Sequence, residues 1–361
     1  MMALKMSSGV KEIKKHFGTM AISITAVVLA LLISCWLILL LGLSPVDAMK
    51  ALIQGAFGSI TGMGEIIVKM IPLLLTALSY SIAARSGLVN IGAEGQLIMG
   101  GWAAAVVGIF ITGIPSWLHI TLAVGAACVV GGLWAMLAGY LKVKFNANEM
   151  IVTIMLNYIA LYFANWMATS VMKEAGGTIP QSEMVQDTAQ LPRIIADTRA
   201  HVGLFIALAC LLFYYFFLWK MKTGFNVRVA GLNQDAARYS GVNTSHMTLL
   251  VMFIAGGFAG ICGATEILGV QIRLYRDFSP GYGFDGIAVA LLGNNTPIGM
   301  FISAVMFGIL RAGSNMMQMM AKVPSAMIRI IQGLIIIFVV ASKFFGVMQK
   351  RYAIKREAKR S

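Results

Sequence analysis

Trp117-Leu-His-Ile-Thr-Leu-Ala-Val-Gly-Ala-Ala-Cys-Val-Val-Gly-Gly-Leu-Trp-Ala-Met-Leu-Ala-Gly-Tyr-Leu141 contains no Asp, Glu, Lys or Arg. A helix needs about 20 apolar residues to cross the hydrocarbon core of a bilayer, so this stretch is long enough to span one. Similar runs recur on both sides of it, divided by short polar joints: 20–43, 65–84, 93–112, 150–172, 201–219, 247–268, 298–310 and 326–342, with a shorter apolar stretch at 284–293. Of the 361 residues, 59% are hydrophobic and only 12% are charged. Soluble domains carry about 25% charge. The charge needed to cover a soluble surface is missing, and the chain reads as an all-α polytopic membrane protein.

The net charge is +14. In a soluble protein such an excess points toward nucleic acid. Here the basic residues sit at segment ends and tails, where membrane orientation and anionic lipid account for them, and no nucleic-acid partner is expected. Lys5, Lys11, Lys14 and Lys15 mark the first tail; Lys343, Lys350, Arg351, Lys355, Arg356, Lys359 and Arg360 mark the last. Both tails are expected in the cytoplasm, so the number of crossings is even. Counting 284–293 as a crossing makes ten. The expected organisation is a basic tail at 1–19, a membrane domain at 20–342 and a second basic tail at 343–361. The loop 173–200, with no basic excess, then lies outside, and the loop 220–246 lies inside. Cys35, Cys128, Cys210 and Cys262 all fall within apolar runs without metal-ligand spacing and read as packing residues. The first run is too long for a signal-peptide core and reads as a retained span.

Two apolar stretches are punctuated by glycine and a carboxylate. They are Ser86-Gly-Leu-Val-Asn-Ile-Gly-Ala-Glu-Gly-Gln-Leu-Ile-Met-Gly100 and Ser279-Pro-Gly-Tyr-Gly-Phe-Asp-Gly-Ile-Ala-Val-Ala-Leu-Leu-Gly293. Each holds Gly-x-acid-Gly, at Gly92 to Gly95 and at Gly283 to Gly286, at the start of the third and the eighth span. Halves of five spans each would be inverted repeats, and paired interrupted segments point to a transporter's site. Glu94 and Asp285 either cap helices, favoured by the helix dipole, or face a polar ligand. In the fifth span Thr153, Asn157, Ala160, Ala164 and Ala168 share one stripe, opposite Met155, Ile159, Tyr162 and Trp166. Asn157 needs a partner inside the bilayer, either a neighbouring helix or a water-filled path.

The inside loop reads Thr223-Gly-Phe-Asn-Val-Arg-Val-Ala-Gly-Leu-Asn-Gln-Asp-Ala-Ala-Arg-Tyr-Ser-Gly-Val-Asn243. Asn233 is a good N-cap, Asp235 suits a first turn and Gly241 suits a stop, which predicts a helix of two turns with a slim surface at Ala236 and Ala237. So short a helix needs something to rest on, its own spans or another protein.

These residues carry a resemblance. Ala-Ala-x-x-Ser-Gly at Ala236 to Gly241, preceded by Gly231-Leu-Asn233, resembles the coupling-helix motif of bacterial ABC-importer permeases. With Asn90-Ile-Gly-Ala-Glu-Gly-Gln96 and Gly283 to Gly293, it is similar to the permease family serving branched-chain amino acids, ribose and related sugars, and nucleosides. The long first span, Met155-Leu-Asn-Tyr158 and Gly-Leu-Asn-Gln-Asp-Ala-Ala look most like the nucleoside type, the guanosine and purine-nucleoside permeases.

The resemblance implies a multi-pass subunit of the bacterial cell membrane that forms the translocation path. Its implied partners are a separate ATPase that binds the ATP, a second permease chain and an extracytoplasmic substrate-binding lipoprotein. It implies coupling through Gly231, Asn233, Ala236, Ala237, Ser240 and Gly241, with Asn90, Glu94, Asn157, Asp285 and Asn294 as substrate-path candidates. The chain itself holds no Gly-x-x-x-x-Gly-Lys-[Ser/Thr] phosphate loop and is expected to be neither an enzyme nor a cofactor protein. An intramembrane enzyme is disfavoured further by the scatter of His16, His119, His201 and His246. An ion-coupled carrier is the remaining rival; Glu94, Glu266, Asp285 and Lys69, which would serve it, fall near the expected span ends. Ribose-like sugars are the alternative cargo.

Overall fold

The computed structural model describes residue 29, residues 32–177 and 179–324, and residues 327, 330, 331, 333, 334, 337 and 338. The two basic tails and most of the first and last expected spans lie outside these residues. The described chain is helical apart from three isolated bridges and divides into two units, one of residues 1–55 and 313–361 and one of Ala56–Ala312.

In the first unit, helix α1 (Leu32–Leu40) and helix α2 (Pro45–Phe57) meet at 120°. Leu41 and Gly42 make the bend, with Gly42 at φ +73°. Pro45 is well placed as the first helical residue, and the Ser44 hydroxyl accepts from the amide of Asp47 at 3.3 Å. The sequence reading treated 44–64 as a joint and missed α2, whose polar residues interrupt the apolar run. Gly313 packs against the backbone of Leu52, and Gly55 against Gly313 and Met316.

The second unit begins with α3 (Ile60–Arg85), α4 (Ala93–Phe110), α5 (Ser116–Phe145) and α6 (Glu149–Trp166, widening into a π turn to Val171). After a long loop come α7 (Gly203–Lys220), α8 (Lys222–Leu232), α9 (Gln234–Tyr239) and α10 (Thr244–Glu266, with a π turn to Gln271). The short α11 (Tyr282–Leu292) follows, and α12 (Pro297–Ala321) starts in this unit. Each expected span that is described holds a helix, although the one at 284–293 is short and the one at 298–310 runs on to Ala321.

Seven of these helices are long and apolar enough to cross a membrane, or eight if α1 and α2 count as one bent span. The expectation of ten therefore depends on α11 and on the segment beyond 324. At 11 residues, α11 is roughly 16 Å long, about half a hydrocarbon core. It starts deep in the unit, beside Glu94 and Lys69, and residues 272–281 lead to it without forming a helix.

The centre of the unit is made by α4, α5 and α10, which approach almost backbone to backbone. A β-carbon added to Gly131 would lie 2.5 Å from the carbonyl oxygen of Gly256. One added to Gly100 would strike Gly260, and one added to Gly260 would strike Ala127. In lipid, where apolar surface gives no hydrophobic preference for a neighbouring helix, such small-residue contact drives helix association. The Gly256-x-x-x-Gly260 spacing was visible in the sequence but was not used.

The two polar loops lie at opposite ends of α3. Near its first turn Glu65 forms a bidentate pair with Arg199, at 2.8 Å to each nitrogen. At its last residue, Arg85, the backbone touches Gly231. The loop 172–202 is folded over the ends of α4 and α10: Gln186 donates its amide to Gly108 O at 3.0 Å and Leu191 to Leu268 O at 2.9 Å. Arg273 bonds Glu174 at 2.6 Å and holds its carboxyl below the usual carboxylate range. Burial pushes the His201 imidazole down to about 4. That suits its place as acceptor, through Nδ1, from the amide of Gly203 at 3.1 Å.

Candidate functional site

The two glycine-punctuated segments meet in space. The chain leaves α3 at Ser86 and re-enters helix at Ala93, so the amides at the start of α4 need acceptors. Asn157 of α6 supplies one: its Oδ1 accepts from Gly95 N at 2.8 Å, while its Nδ2 donates to Ile91 O at 3.0 Å. Asn90 is fully buried and forms a reciprocal amide pair with Gln96, at 2.9 and 3.0 Å. The same Asn90 oxygen accepts from Gly92 N at 3.0 Å.

Glu94 lies in the first turn of α4 and reaches across to the other break, accepting from Gly283 N at 2.7 Å. A β-carbon on Gly283 would collide with the backbone of Glu94, so the two helix starts lie in direct contact. Gly281, at φ +92°, occupies the left-handed conformation that only glycine adopts without strain. The exchange is not reciprocal. Asp285 pairs with Arg311 of α12 instead of turning to α4, whose Gly95 amide goes to Asn157. The Arg311 guanidinium lies over the Tyr282 ring, 4.7 Å from its centroid, and the Tyr282 hydroxyl accepts from Lys69 at 3.4 Å.

Asn294 stands apart from this junction, at the far end of α11. Asn294 and Asn295 both take left-handed backbone (φ +54° and +52°). Their carbonyls accept from Arg85 Nη2, at 3.4 and 2.8 Å. Tyr214 also donates to Asn295 O, at 3.0 Å, and shares a 2.6 Å hydrogen bond with Ser81. The Arg85 guanidinium stacks 5.5 Å from the Trp219 ring.

Arg85 joins this region to the proposed coupling segment. Gly231, at the end of α8, lies so close to the Arg85 carbonyl that no side chain fits between them. Asn233 caps α9 as expected, accepting from Asp235 N at 2.9 Å and Ala236 N at 3.0 Å. Gly241 follows at φ +83°, and the Ser240 hydroxyl bonds the Ala237 carbonyl at 2.8 Å. The slim surface is divided: Ala237 is fully buried against its own chain, and Ala236 is exposed. Two bulky apolar side chains, Leu232 and Tyr239, stand 88% and 96% exposed among the exposed polar residues Gln234, Asp235 and Arg238.

Sequence reasoning missed Arg85, Tyr214, Tyr282 and Arg311, and it weighed Lys69 and Glu266 only for an ion-coupled carrier. Lys69 and Glu266 were placed near span ends. In the structure α3 begins at Ile60, nine residues before Lys69, and the helix of Glu266 continues five residues further, to Gln271, so both lie within candidate spans. The available signal was a single charge within an apolar run, the mark of a functional position in a membrane segment.

Asn157→Leu is expected to release two buried backbone groups, Gly95 N and Ile91 O, costing about 2–4 kcal/mol. The measurement is the thermal midpoint of the purified protein in detergent: a marked fall is expected, and an unchanged midpoint with lost uptake would place Asn157 on the solute's route instead.

A family model described as "Branched-chain amino acid transport system / permease component" matches residues 62–340. The chain is 37% identical over 332 residues to a guanosine ABC transporter permease protein of Bacillus subtilis, covering 91% of this chain and 95% of that one. It is 33% identical over 350 residues to a glucose ABC transporter permease protein of Haloferax volcanii, covering 94% and 90%. It is 31% identical over 344 residues to a nucleoside ABC transporter permease protein of Lactococcus lactis, covering 92% and 94%. No solved structure matches.

Proposed function

The chain belongs to the branched-chain amino acid transport system permease component family, and from that premise we propose that it forms the translocation path of an ABC importer for nucleosides. The observation that carries the cargo is the 37% identity over 332 residues to a permease protein named for guanosine. The 33% identity to one named for glucose makes simple sugars the second reading.

On this reading α8 and α9 face the cytoplasm, together with both termini, and the folded loop 172–202 faces outward. A separate ATPase subunit supplies the drive, a second permease chain completes the path and a binding lipoprotein presents the solute outside. The bare Leu232 and Tyr239 side chains are what an ATPase groove would cover, because aromatic and aliphatic anchors carry most of the binding energy in such contacts. The clamp between Gly231 and Arg85 gives a push on α9 a route to the ends of α3 and α11.

The direct test is purification of the tagged protein from its own membranes in mild detergent, followed by reconstitution and ATP-driven uptake of labelled guanosine and glucose. Guanosine uptake with a co-purifying ATPase supports the reading. Glucose uptake alone moves the cargo to sugars. Reproducible, ATP-independent uptake by the chain alone overturns the importer reading in favour of a carrier. Tyr239→Ala is expected to lower the yield of co-purified ATPase about tenfold or more, as hot-spot truncations do. Normal recovery would remove the docking role.

A further inference from the structure

Lys69 of α3 and Glu266 of α10 lie inside candidate membrane spans. A charge there is costly to hold unless it is paired, or placed where solute or water can meet it. The other carboxyls of this region have partners: Asp285 has Arg311, Glu65 has Arg199 and Glu94 has the Gly283 amide. Among the described residues, neither Lys69 nor Glu266 stands within ion-pair distance of an opposite charge.

The Lys69 ammonium has one hydrogen bond among the described residues, the long 3.4 Å contact with the Tyr282 hydroxyl, and the residue is half-buried. Glu266 is only 4% exposed. Lys69, Arg311 and Arg199 act on its carboxyl across space, and the Gln271 side chain lies against it. Gln271 gives one of its two amide hydrogens to Phe278 O at 2.9 Å, and its Oε1 is buried with no hydrogen-bond partner among the described residues. Tyr282 connects these groups: its hydroxyl meets Lys69, its ring lies under Arg311, and Glu266 acts on it electrostatically. Donors and acceptors from α3, α10 and α11 therefore converge with their hydrogen-bonding capacity only partly used.

We propose that Lys69, Glu266, Gln271 and the Tyr282 hydroxyl form a polar station in the membrane where a neutral solute rich in hydroxyl and ring N–H groups exchanges hydration for protein hydrogen bonds. The ammonium donates to hydroxyl or ring-nitrogen acceptors. The carboxyl and the free amide oxygen accept from hydroxyls and N–H groups. One cation and one carboxyl balance, so a neutral solute leaves neither charge with a repelling partner, and the neutral amide and phenol add contacts that an ion would not use. The nucleoside identity of that solute rests on the reading under Proposed function.

The test uses the complete complex in proteoliposomes, with ATP-driven uptake of labelled guanosine, 2′-deoxyguanosine and leucine, the last as a zwitterionic probe. Lys69→Gln is expected to lower guanosine uptake about ten- to a hundredfold, as loss of a charged hydrogen-bond donor does, and Lys69→Arg to retain more of it. Glu266→Gln is expected to change the ratio of guanosine to 2′-deoxyguanosine uptake, which a purely structural role would leave fixed. Uptake by Lys69→Gln within about twofold of wild type, or an equal fall of both nucleosides in Glu266→Gln, overturns the station. Since Lys69 is less buried than Glu266, its variants decide the matter if Glu266→Gln does not assemble. Wild-type uptake of leucine but not guanosine overturns the nucleoside reading itself, and with it the neutral class of cargo.

Discussion

Gly260→Leu is expected to abolish the folded protein. The glycine sits in α10 where α4 and α5 converge on it: a β-carbon would strike the Ala127 carbonyl, and Gly100 presses from the other side. Neither neighbour is a flexible side chain that could rotate away, so the helices themselves would have to separate. Overpacking of a core typically costs 1–3 kcal/mol, roughly, when side chains can adjust; against backbone the cost exceeds about 3 kcal/mol and falls on the contact that holds three spans together. Fluorescence-detected gel filtration of the detergent extract reads the result, with loss of the main peak expected. Gly125→Leu in α5 is the control, because its added β-carbon has nothing within 4 Å, and it should elute as wild type. If Gly260→Leu elutes normally too, the close approach of α4, α5 and α10 is wrong.

Arg85→Ala is expected to separate ATP hydrolysis from uptake. Arg85 touches the end of α8 through its carbonyl and the end of α11 through its guanidinium. Its planar fork holds the Asn295 carbonyl with two nitrogens, at 3.3 and 2.8 Å, a geometry that lysine cannot reproduce. Removing the fork leaves two carbonyls at the end of α11 without that donor. Each charged hydrogen bond is worth about 1.5–3 kcal/mol, so uptake should fall by about tenfold or more while the ATPase continues to turn over. Arg85→Lys should recover only part of the loss. The measurement is the ratio of solute moved to ATP hydrolysed in proteoliposomes. An unchanged ratio, with both rates falling together, would make Arg85 a structural clamp without a role in transmission.

The contrast between these two positions shows what could be read in advance. The Asn233 cap and the stop at Gly241 were legible, because a cap depends on residues two or three positions away. The same holds for the breaks at Ser86 to Gly92 and at Ser279 to Gly281, where glycine interrupts the apolar run. Asn157 was recognised as needing a partner, but the choice between a helix contact and a water-filled path could not be made from the stripe alone. Ala237 was expected to give α9 a slim surface against its own spans or another protein, and it faces its own chain, because the rotation of a six-residue helix is set by what lies beneath it. Lys69 falls farther from a helix end than expected, because α3 starts at Ile60, ahead of the apolar run.

The amino-acid sequence by itself determined that this chain lies in a membrane as helices, where those helices are interrupted and which family it resembles. Those properties follow from run length, local capping and glycine placement, each set by neighbours along the chain. Tertiary structure alone decided that Glu94 caps a helix 189 positions away, that Asp285 turns to Arg311 and that Lys69 meets Tyr282. The physical reason is that the rotation and depth of each span are set by backbone-close contacts such as Gly100 on Gly260 and Gly131 on Gly256. In lipid, apolar side chains do not distinguish one helix neighbour from another, so these close contacts determine which polar groups meet.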